Sequence, residues 1–330
     1  MVQKAAVVGA GGIAQVHMNN LAKLGVEIAG IADIIEERAR ERARRFGGRP
    51  YTSVERMLDE VSCDVVLVCT PPTAREEAVR AATSRKIPLF MEKPPAFDLE
   101  SARRIRQMVE EAGIVHTVGF MWRWSKGAEA CKRLLEGKKI AFIRSYYCFN
   151  VFTNPVMPRW FLNKRISGGP VLDQAIHIFD LCRFLVGDDV ARVHAFANNL
   201  LLPPAEDVSA EESVIANLRY KGGIVQSHTH SWVHRHTLGA IDLFTEDLRI
   251  SLGLTGTQDV SVWAGGTLEA EERFPVNESH LYEMEGFLEA VRSNSMANIR
   301  SPIGDAFKTL ELCLAVNSSI ESGSPVELGA

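Results

Sequence analysis

The chain has 330 residues, of which 46% are hydrophobic and 24% are charged, and its formal net charge is −4. This length suits two domains, and this composition is typical of a globular protein with a substantial core. Because charges of both signs are interspersed, we expect no nucleic-acid partner. The apolar run after the N-terminus is too short for a signal peptide or a membrane span, so we expect a cytoplasmic protein without membrane contact. Six cysteines occur singly, which indicates neither a disulfide framework nor a zinc ribbon.

The first 120 residues alternate between short apolar runs and amphipathic stretches. Strands are predicted at residues 5–8, 26–32, 65–69, 88–91 and 114–119. Helices are predicted between them, up to residue 23, up to residue 46, and at residues 75–84 and 99–111. Continuous apolar strands separated by helices are typical of βαβ units. The sequence therefore predicts a Rossmann-type, doubly wound parallel sheet that is covered on both faces.

From about residue 139 the pattern changes to strands with few intervening helices. Strands are predicted at residues 140–150, 190–199, 213–220, 223–233, 240–244 and 248–252, with helices near 172–186, 280–293 and 303–322. This pattern predicts an α+β domain with a large, mostly antiparallel open sheet. We expect a dinucleotide-binding domain over residues 1–121 and a substrate-binding and oligomerisation domain over residues 122–330.

A glycine-rich turn follows the first predicted strand. Residues 9–14 read G-A-G-G-I-A, which fits the pattern G-x-G-x-x-A, and they open a predicted helix. The first glycine permits the tight turn, the second lets the backbone approach a pyrophosphate, and Ala14 allows close packing of helix on strand. Asp33 ends the second strand 19 residues after Ala14, where an acid binds ribose hydroxyls. We expect a dinucleotide to contact Gly9, Gly11, Gly12, Ile13, Asp33 and Ile34. A glycine-rich turn with an incidental aspartate is the alternative.

Asp33 also bears on the choice between the two nicotinamide cofactors. Its carboxylate accepts hydrogen bonds from both hydroxyls of the adenosine ribose but repels a 2′-phosphate. The next residues, Ile34 and Ile35, offer no cation that holds a phosphate. The sequence therefore favours NAD over NADP.

Two further segments lie at the predicted carboxyl ends of parallel strands, the edge where ligands bind in open α/β sheets. T-P-P at residues 70–72 follows the third strand, and E-K-P at residues 92–94 follows the fourth. The ammonium group of Lys93, placed beside a nicotinamide, polarises a substrate oxygen and stabilises a developing alkoxide. A surface lysine in a loop is the alternative. The cofactor contacts expected at this edge are Thr70, Pro71, Pro72, Glu92 and Lys93.

Asp173 and His177 lie four residues apart on one face of a predicted helix, and Asp180 follows three residues later. His177 is suited to take a hydroxyl proton while hydride leaves the same carbon, and Asp173 is suited to bind or orient the substrate. Asp180 is suited to orient the helix or the imidazole. From the residues alone, a structural histidine beside an aspartate is the better explanation of the pattern.

These motifs resemble those of the glucose–fructose oxidoreductase, inositol dehydrogenase and rhizopine-catabolism family, written Gfo/Idh/MocA. The resemblance also includes GFMWR at 119–123, SGGPVLDQAIHIFD at 167–180 and DAFKTLEL at 305–312, and so spans nearly the whole chain. In that family the lysine of EKP and the Asp–His pair form the catalytic set, which implies catalytic roles for Lys93, Asp173 and His177. Arg75 stands where the family often has histidine, which alters a predicted cofactor contact. Arg123 matches the family's arginine and is expected to reach the substrate or brace the cleft.

A histidine-rich segment stands apart from these motifs. His228, His230, Trp232, His234 and His236 share parity along a predicted strand, so we expect all five side chains on one face. One straight strand does not wrap a tetrahedral ion, and we expect no metal. A face covered by another subunit, or lining the substrate cleft, is favoured. Because the sheet has helices for only one face, we expect a homodimer or homotetramer joined through this sheet.

Together, the residues and the resemblance predict an NAD(P)-dependent oxidoreductase. Hydride would pass between the nicotinamide and a secondary alcohol or ketone of a sugar, cyclitol or related polyol. The predicted substrate contacts are Arg123, Tyr147, Trp160, Asp173 and His177. Two alternatives remain open: a glycosidase or lyase that retains NAD and oxidises its substrate transiently, and a non-catalytic nucleotide-binding sensor.

Overall fold

The computed structural model describes residues 2–154, 157–202, 207–275 and 278–329. The chain forms two compact units, which are described separately. The first comprises Met1–Trp124 and Glu278–Phe307, and the second comprises Ser125–Asn277 and Lys308–Ala330. They differ from the predicted domains, 1–121 and 122–330, in that residues 122–124 and 278–307 belong to the first unit.

The first unit is built on a parallel sheet. Its strands are β1 (Lys4–Val8), β2 (Glu27–Ala32), β3 (Arg49–Tyr51), β4 (Val65–Val68), β5 (Leu89–Met91) and β6 (His116–Val118). They lie in the order β3-β2-β1-β4-β5-β6, and each pair of neighbours is parallel. The connecting helices are α1 (Gly12–Lys23), α2 (Glu36–Phe46), α3 (Val54–Glu60), α4 (Glu76–Ser84) and α5 (Leu99–Ala112). The predicted Rossmann sheet is confirmed, with β3 and α3 as additions that the sequence did not predict.

Helix α1 packs on the sheet through a regular apolar stripe. Ala14, Met18 and Leu21, spaced four and three residues apart, are fully buried in one core cluster with β1 and β2. Burial of a side chain such as Leu21 contributes about 1.5–3 kcal/mol. The core therefore fixes α1, and with it the glycine turn at its start, against the end of β1.

The second unit contains a sheet with nine strands among the described residues. These strands are β7 (Phe142–Cys148), β8 (Val190–Asn198), β9 (Ser213–Tyr220), β10 (Val225–Ser231), β11 (Leu238–Phe244), β12 (Leu248–Gly253), β13 (Thr257–Ala264), β14 (Thr267–Pro275) and β15 (Val326–Glu327). Their order is β14-β13-β12-β11-β7-β10-β9-β8-β15, and only the β7–β10 pair is parallel in this described part. The predicted, mostly antiparallel sheet is confirmed.

Helices accompany this sheet and complete the chain. The second unit contains α6 (Lys126–Leu135), α7 (Lys164–Ser167) and α8 (Ile176–Val186). The last helices in the chain are α9 (Ser279–Ser293) and α10 (Ile303–Ser322). Met284, Phe287 and Leu288 of α9 join the core cluster that also holds β1 and α1. Over the described residues, no helix combines the length and the apolar character needed to cross a membrane.

The prediction of five side chains on one histidine-rich face is wrong. Strand β10 ends at Ser231, and His234 and His236 lie beyond it in an exposed connection to β11. His228 and His230 are fully buried, and the ring of Phe179 in α8 packs 4.8 Å from that of His228. Because a helix of the same unit covers this face, it is not the surface that another subunit would cover.

The apolar surface of the sheet lies on the opposite face. Along β10, exposed Val225, Ser227 and Thr229 alternate with the buried residues between them. Exposed aromatic and aliphatic side chains on neighbouring strands continue this face: Phe142, Tyr146, Phe196 and Ile215. We call these four residues and Val225 the open sheet face.

Candidate active site

The nucleotide loop begins with a residue that only glycine fits. Gly9 has a φ of +92°, and its amide donates to the carbonyl of Ala32 at 2.7 Å. A Cβ atom on Gly9 would lie 2.8 Å from the backbone of Cys69. The end of β1 therefore turns tightly between β2 and β4, as the first glycine of the pattern requires.

The next two glycines leave space over the start of α1. A Cβ atom at Gly11 or Gly12 would meet nothing within 4 Å. The first amides of α1, including that of Ile13, begin a helix whose N-terminus favours an anion. These residues fit a dinucleotide, because the backbone leaves room for a pyrophosphate and supplies donors to it.

Asp33 holds the nucleotide loop from the end of β2. Its two carboxylate oxygens accept hydrogen bonds from the amides of Ala10 and Ile35, both at 2.8 Å. Each oxygen keeps a further lone pair for a ribose hydroxyl. Ile34, the other predicted nucleotide contact at this end of β2, is 91% exposed, so its side chain is accessible to a ligand.

Arg42 of α2 is a neighbour of this loop that the sequence did not single out. Its Nε donates to the carbonyl of Ala10 at 3.3 Å, and its guanidinium pairs with Glu41. The arginine-rich helix has the composition of a solvent-exposed helix, and Arg42 differs from its other arginines in its contact with Ala10 and in being half-buried.

Arg75 joins the two turns at the carboxyl end of the sheet. Its Nη2 donates to the carbonyl of Thr70 at 2.7 Å and to that of Lys93 at 3.4 Å. Its Nη1 donates to the carbonyls of Glu92 and Pro94. Arg75 is 2% exposed, and burial lowers its pKa to about 10, which leaves it charged at neutral pH. These contacts describe a brace between the turns, while the cofactor contact of Arg75 stays a prediction.

Within the TPP turn, the brace holds the carbonyl of Thr70. Pro71 and Pro72 lead into a short 3₁₀ turn, Pro72–Ala74. The hydroxyl oxygen of Thr70 is buried and has no hydrogen-bond partner among the described residues. A buried hydroxyl without a partner is available to hydrogen-bond a ligand or a water molecule.

Glu92 lies at the centre of a buried polar cluster. Its Oε1 accepts from Nε2 of His17 at 2.7 Å, and its Oε2 accepts from the amide of Lys93 at 3.1 Å. Burial alone would raise the pKa of Glu92. The hydrogen bond and charge of His17, together with the charge of Lys93, outweigh that effect, so the pKa is lowered overall. A Cβ atom on Gly119 would lie 3.2 Å from this carboxylate, so the glycine of GFMWR makes room for it.

His17 is a site residue that the sequence analysis missed. It lies on the buried face of α1, and its ring is 5.9 Å from that of His280 in α9. Burial lowers the pKa of His280 to about 4, so that ring is neutral at pH 7. A histidine on an otherwise apolar helix face was the available signal for His17.

Arg123 is paired inside the first unit. It is 2% exposed, forms an ion pair with Asp305 at 2.5 Å, and donates to the carbonyl of Arg300 at 2.5 Å. Arg300 in turn donates to the carbonyl of Arg123 at 2.7 Å. These contacts give Arg123 a bracing role, and its contact with substrate stays a prediction.

Asp173 and His177 belong to the second unit, whereas Lys93 belongs to the first. Asp173 lies in a π-helical turn, Val171–Ala175, that leads directly into α8, where His177 lies. Such turns occur often at functional sites. Both side chains are half-buried. Asp180 is buried and accepts from the hydroxyl of Thr309 at 2.9 Å, so it anchors α8 to α10.

Tyr147 of β7 lies close to Asp173. Burial, followed by the charge of Asp173, raises the pKa of Tyr147. The tyrosine ring stacks at 5.8 Å on that of His230, and its Cδ2 would lie 2.5 Å from a Cβ atom on Gly239. The structure thus brings together two of the predicted substrate contacts.

Trp160 is connected to the same region through aromatic contacts. It is 44% exposed and stacks on Phe161 at 4.0 Å. Phe161 contacts the ring of Trp232, whose Nε1 donates to Gln174 beside Asp173 at 2.8 Å. A pocket of about 210 Å³ opens nearby, with Arg159 among its lining residues.

Comparison with known proteins gives a consistent result across most of the chain. Residues 3–120 match the model of an oxidoreductase family with an NAD-binding Rossmann fold, and residues 128–259 match the GFO/IDH/MocA C-terminal domain. The scyllo-inositol 2-dehydrogenase (NAD(+)) of Bacillus subtilis (strain 168) is 26% identical, covering 98% of this chain and 96% of that protein. An inositol 2-dehydrogenase of Mycolicibacterium gilvum (strain PYR-GCK) is 26% identical, covering 98% and 92%. A crystal structure of a probable dehydrogenase from Thermotoga maritima has a TM-score of 0.84 at 24% identity and covers 98% of both chains, which shows the same fold.

Proposed function

We propose, from the premise that this chain belongs to the Gfo/Idh/MocA oxidoreductase family, that it interconverts a secondary alcohol and the corresponding ketone of a cyclitol, sugar or related polyol. It is an NAD-dependent enzyme that acts on CH–OH groups. The observation that carries the proposal is the presence of Lys93, Asp173 and His177 on a chain whose nucleotide loop leaves room for a pyrophosphate. The curated relatives named as inositol dehydrogenases support the polyol class.

The proposed chemistry divides the work among the three side chains. When bound, NAD supplies the nicotinamide ring that accepts the hydride leaving the carbinol carbon. His177 takes the hydroxyl proton as general base, a role worth about 10²- to 10⁴-fold in rate. Lys93 donates a hydrogen bond to the same oxygen and stabilises its developing charge, and Asp173 orients the substrate hydroxyls.

The pocket for the polyol is proposed to form around Tyr147 and Trp160. An aromatic face packs against the C–H face of a ring, while hydroxyl and carboxylate groups bind its hydroxyls. Tyr147 lies near Asp173, which supplies such a carboxylate. We further propose that Arg123 contacts the substrate and that Arg75 contacts the cofactor, in addition to the bracing contacts that each arginine forms.

We also propose a homodimer or homotetramer in the cytoplasm, joined through the open sheet face. Phe142, Tyr146, Phe196, Ile215 and Val225 are exposed on the same face of the sheet, and clustered exposed apolar side chains often mark an interface. A closed pairing of two such faces removes these side chains from water.

A panel of cyclitols, sugars and polyols with NAD and NADP tests the proposed function. Absorbance of the reduced cofactor is followed together with product analysis, and Lys93→Met serves as the inactive control. Lys23→Met, a change at an exposed lysine of α1, is the matched active control. Product formed without net reduction of NAD would identify a glycosidase or lyase with transient oxidation. Nucleotide binding without turnover of any panel member would favour a sensor.

A further inference from the structure

The backbone of Lys93 is held from both sides by charged, buried side chains. Its amide donates to the carboxylate of Glu92 at 3.1 Å, and its carbonyl accepts from the guanidinium of Arg75 at 3.4 Å. The same guanidinium also binds the carbonyls of Glu92 and Pro94. Three consecutive carbonyls therefore converge on one arginine, an arrangement that fixes the turn carrying Lys93.

A lysine or a histidine at position 75 does not reproduce this arrangement. Arg75 reaches four carbonyls, those of Thr70 and of residues 92–94, with a planar group that carries five donors. Removing a guanidinium from water is costly, and the charge of Glu92 together with these carbonyls offsets part of that cost.

The carboxylate of Glu92 is itself fixed by the nucleotide-binding helix. His17, which is fully buried in α1, donates to its other oxygen at 2.7 Å. The ring of His17 also packs at 4.7 Å against that of Phe90 in β5, the strand that precedes the turn. The helix that starts at the nucleotide loop is therefore connected through two hydrogen bonds to the amide of Lys93.

We propose that Arg75, Glu92 and His17 form a clamp that positions Lys93 for catalysis. Arg75 holds the carbonyl side of the turn, Glu92 holds the amide side, and His17 ties Glu92 to α1. The clamp residues act through Lys93 and need no contact with the substrate. This inference rests on the proposed function, because it takes the Lys93 ammonium as the group that meets the substrate oxygen.

A double-mutant cycle on turnover tests whether the clamp acts through Lys93. Glu92→Gln removes the charge and one acceptor but keeps the shape. It should lower kcat by about 10- to 100-fold at saturating NAD, as small misplacements of catalytic groups do. In the Lys93→Met background the same change should lower kcat by less than about twofold. Equal losses in the two backgrounds overturn the proposal. Glu100→Gln, at an exposed position of α5, is the matched control. If Glu92→Gln does not fold, Arg75→Lys replaces it in the cycle.

A labelling experiment gives a readout that needs no substrate. Trinitrobenzenesulfonate modifies free amines, and peptide mass spectrometry gives separate rates for Lys93 and for the exposed Lys23. In Arg75→Lys, which keeps the charge at position 75, release of the turn should raise the rate at Lys93 by about threefold or more and leave Lys23 unchanged, and the rate should also rise in Glu92→Gln, where loss of the neighbouring charge adds to the effect. An unchanged rate at Lys93 in both variants overturns the clamp even if the enzyme is active. A raised rate in a protein that oxidises no polyol supports the clamp and refutes the proposed function alone.

Discussion

Replacing Asp33 should change which cofactor the enzyme binds. In the structure, Asp33 accepts the amides of Ala10 and Ile35, and its free lone pairs lie at the end of β2. NAD offers two ribose hydroxyls to this carboxylate, whereas NADP offers one hydroxyl and a phosphate that the carboxylate repels. Asp33→Ala therefore removes more from NAD than from NADP.

The expected size follows from the bonds that are lost. Hydrogen bonds to a charged group contribute about 1.5–3 kcal/mol each. Loss of two such bonds should raise the NAD dissociation constant by at least about 100-fold. The affinity for NADP should stay equal or improve, because the repulsion is gone and Arg42 lies beside the loop.

Fluorescence titration of the wild type, Asp33→Ala and Asp33→Asn with each cofactor measures these constants. Asp33→Asn removes the charge and keeps an acceptor for the amide of Ala10. This variant therefore separates the effect of the charge on ribose binding from the effect of the side chain on the conformation of the loop. The reasoning is refuted if the wild type binds NADP more tightly than NAD. It is also refuted if Asp33→Ala weakens both cofactors equally, since Asp33 would then act only by holding the loop.

Four further outcomes are expected. Lys93→Met should lower turnover by about 100- to 1,000-fold with NAD binding retained, and unchanged turnover would remove Lys93 from the mechanism. His177→Asn should lower turnover by about 100- to 10,000-fold and flatten the rising limb of the pH–rate profile, whereas Asp173→Asn should mainly weaken substrate binding. A limb that survives His177→Asn but is lost in Lys93→Met would assign the proton transfer to the lysine. Sedimentation should give a dimer or tetramer that Phe196→Asp dissociates, and a wild type that sediments as a monomer contradicts the interface. Burial lowers the pKa of His228 to about 3. Between about pH 6.5 and 3 the unfolded chain therefore binds a proton at this residue that the native state does not bind. The free energy of unfolding should fall as the pH drops through this range. Urea titrations should give a shallower dependence for His228→Gln, and an unchanged slope contradicts this.

The parts of the site that the sequence predicted depend on local patterns. The glycine turn needs only its neighbours in the chain, because a φ of +92° at Gly9 and a helix starting at Gly12 are set within a few residues. Asp33 was found by its distance along one βαβ unit. Strand β14, by contrast, was not predicted. All its residues but Phe274 are exposed, so its sequence does not alternate between apolar and polar residues.

The parts that were missed depend on partners distant in the sequence. Arg123 binds the carbonyl of Arg300, 177 residues away, and nothing near Arg123 indicates that contact. The same holds for His17, whose partner Glu92 lies 75 residues away. The histidine-rich face was predicted to be too long for a different reason. Side chains alternate between the two faces only within a strand, and the end of β10 at Ser231 is set by its pairing with β9 and β7.

Because residues 278–307 belong to the first unit, the nucleotide-binding unit is discontinuous in the amino-acid sequence. A fragment that ends at Trp124 would contain every strand of the parallel sheet. It would still expose to solvent the core surface that Met284, Phe287 and Leu288 cover. Such a fragment exposes apolar surface and is prone to aggregate. A chimera that exchanges nucleotide-binding units between relatives must therefore carry two separate segments, equivalent to residues 1–124 and 278–307, for the transplanted sheet to be covered.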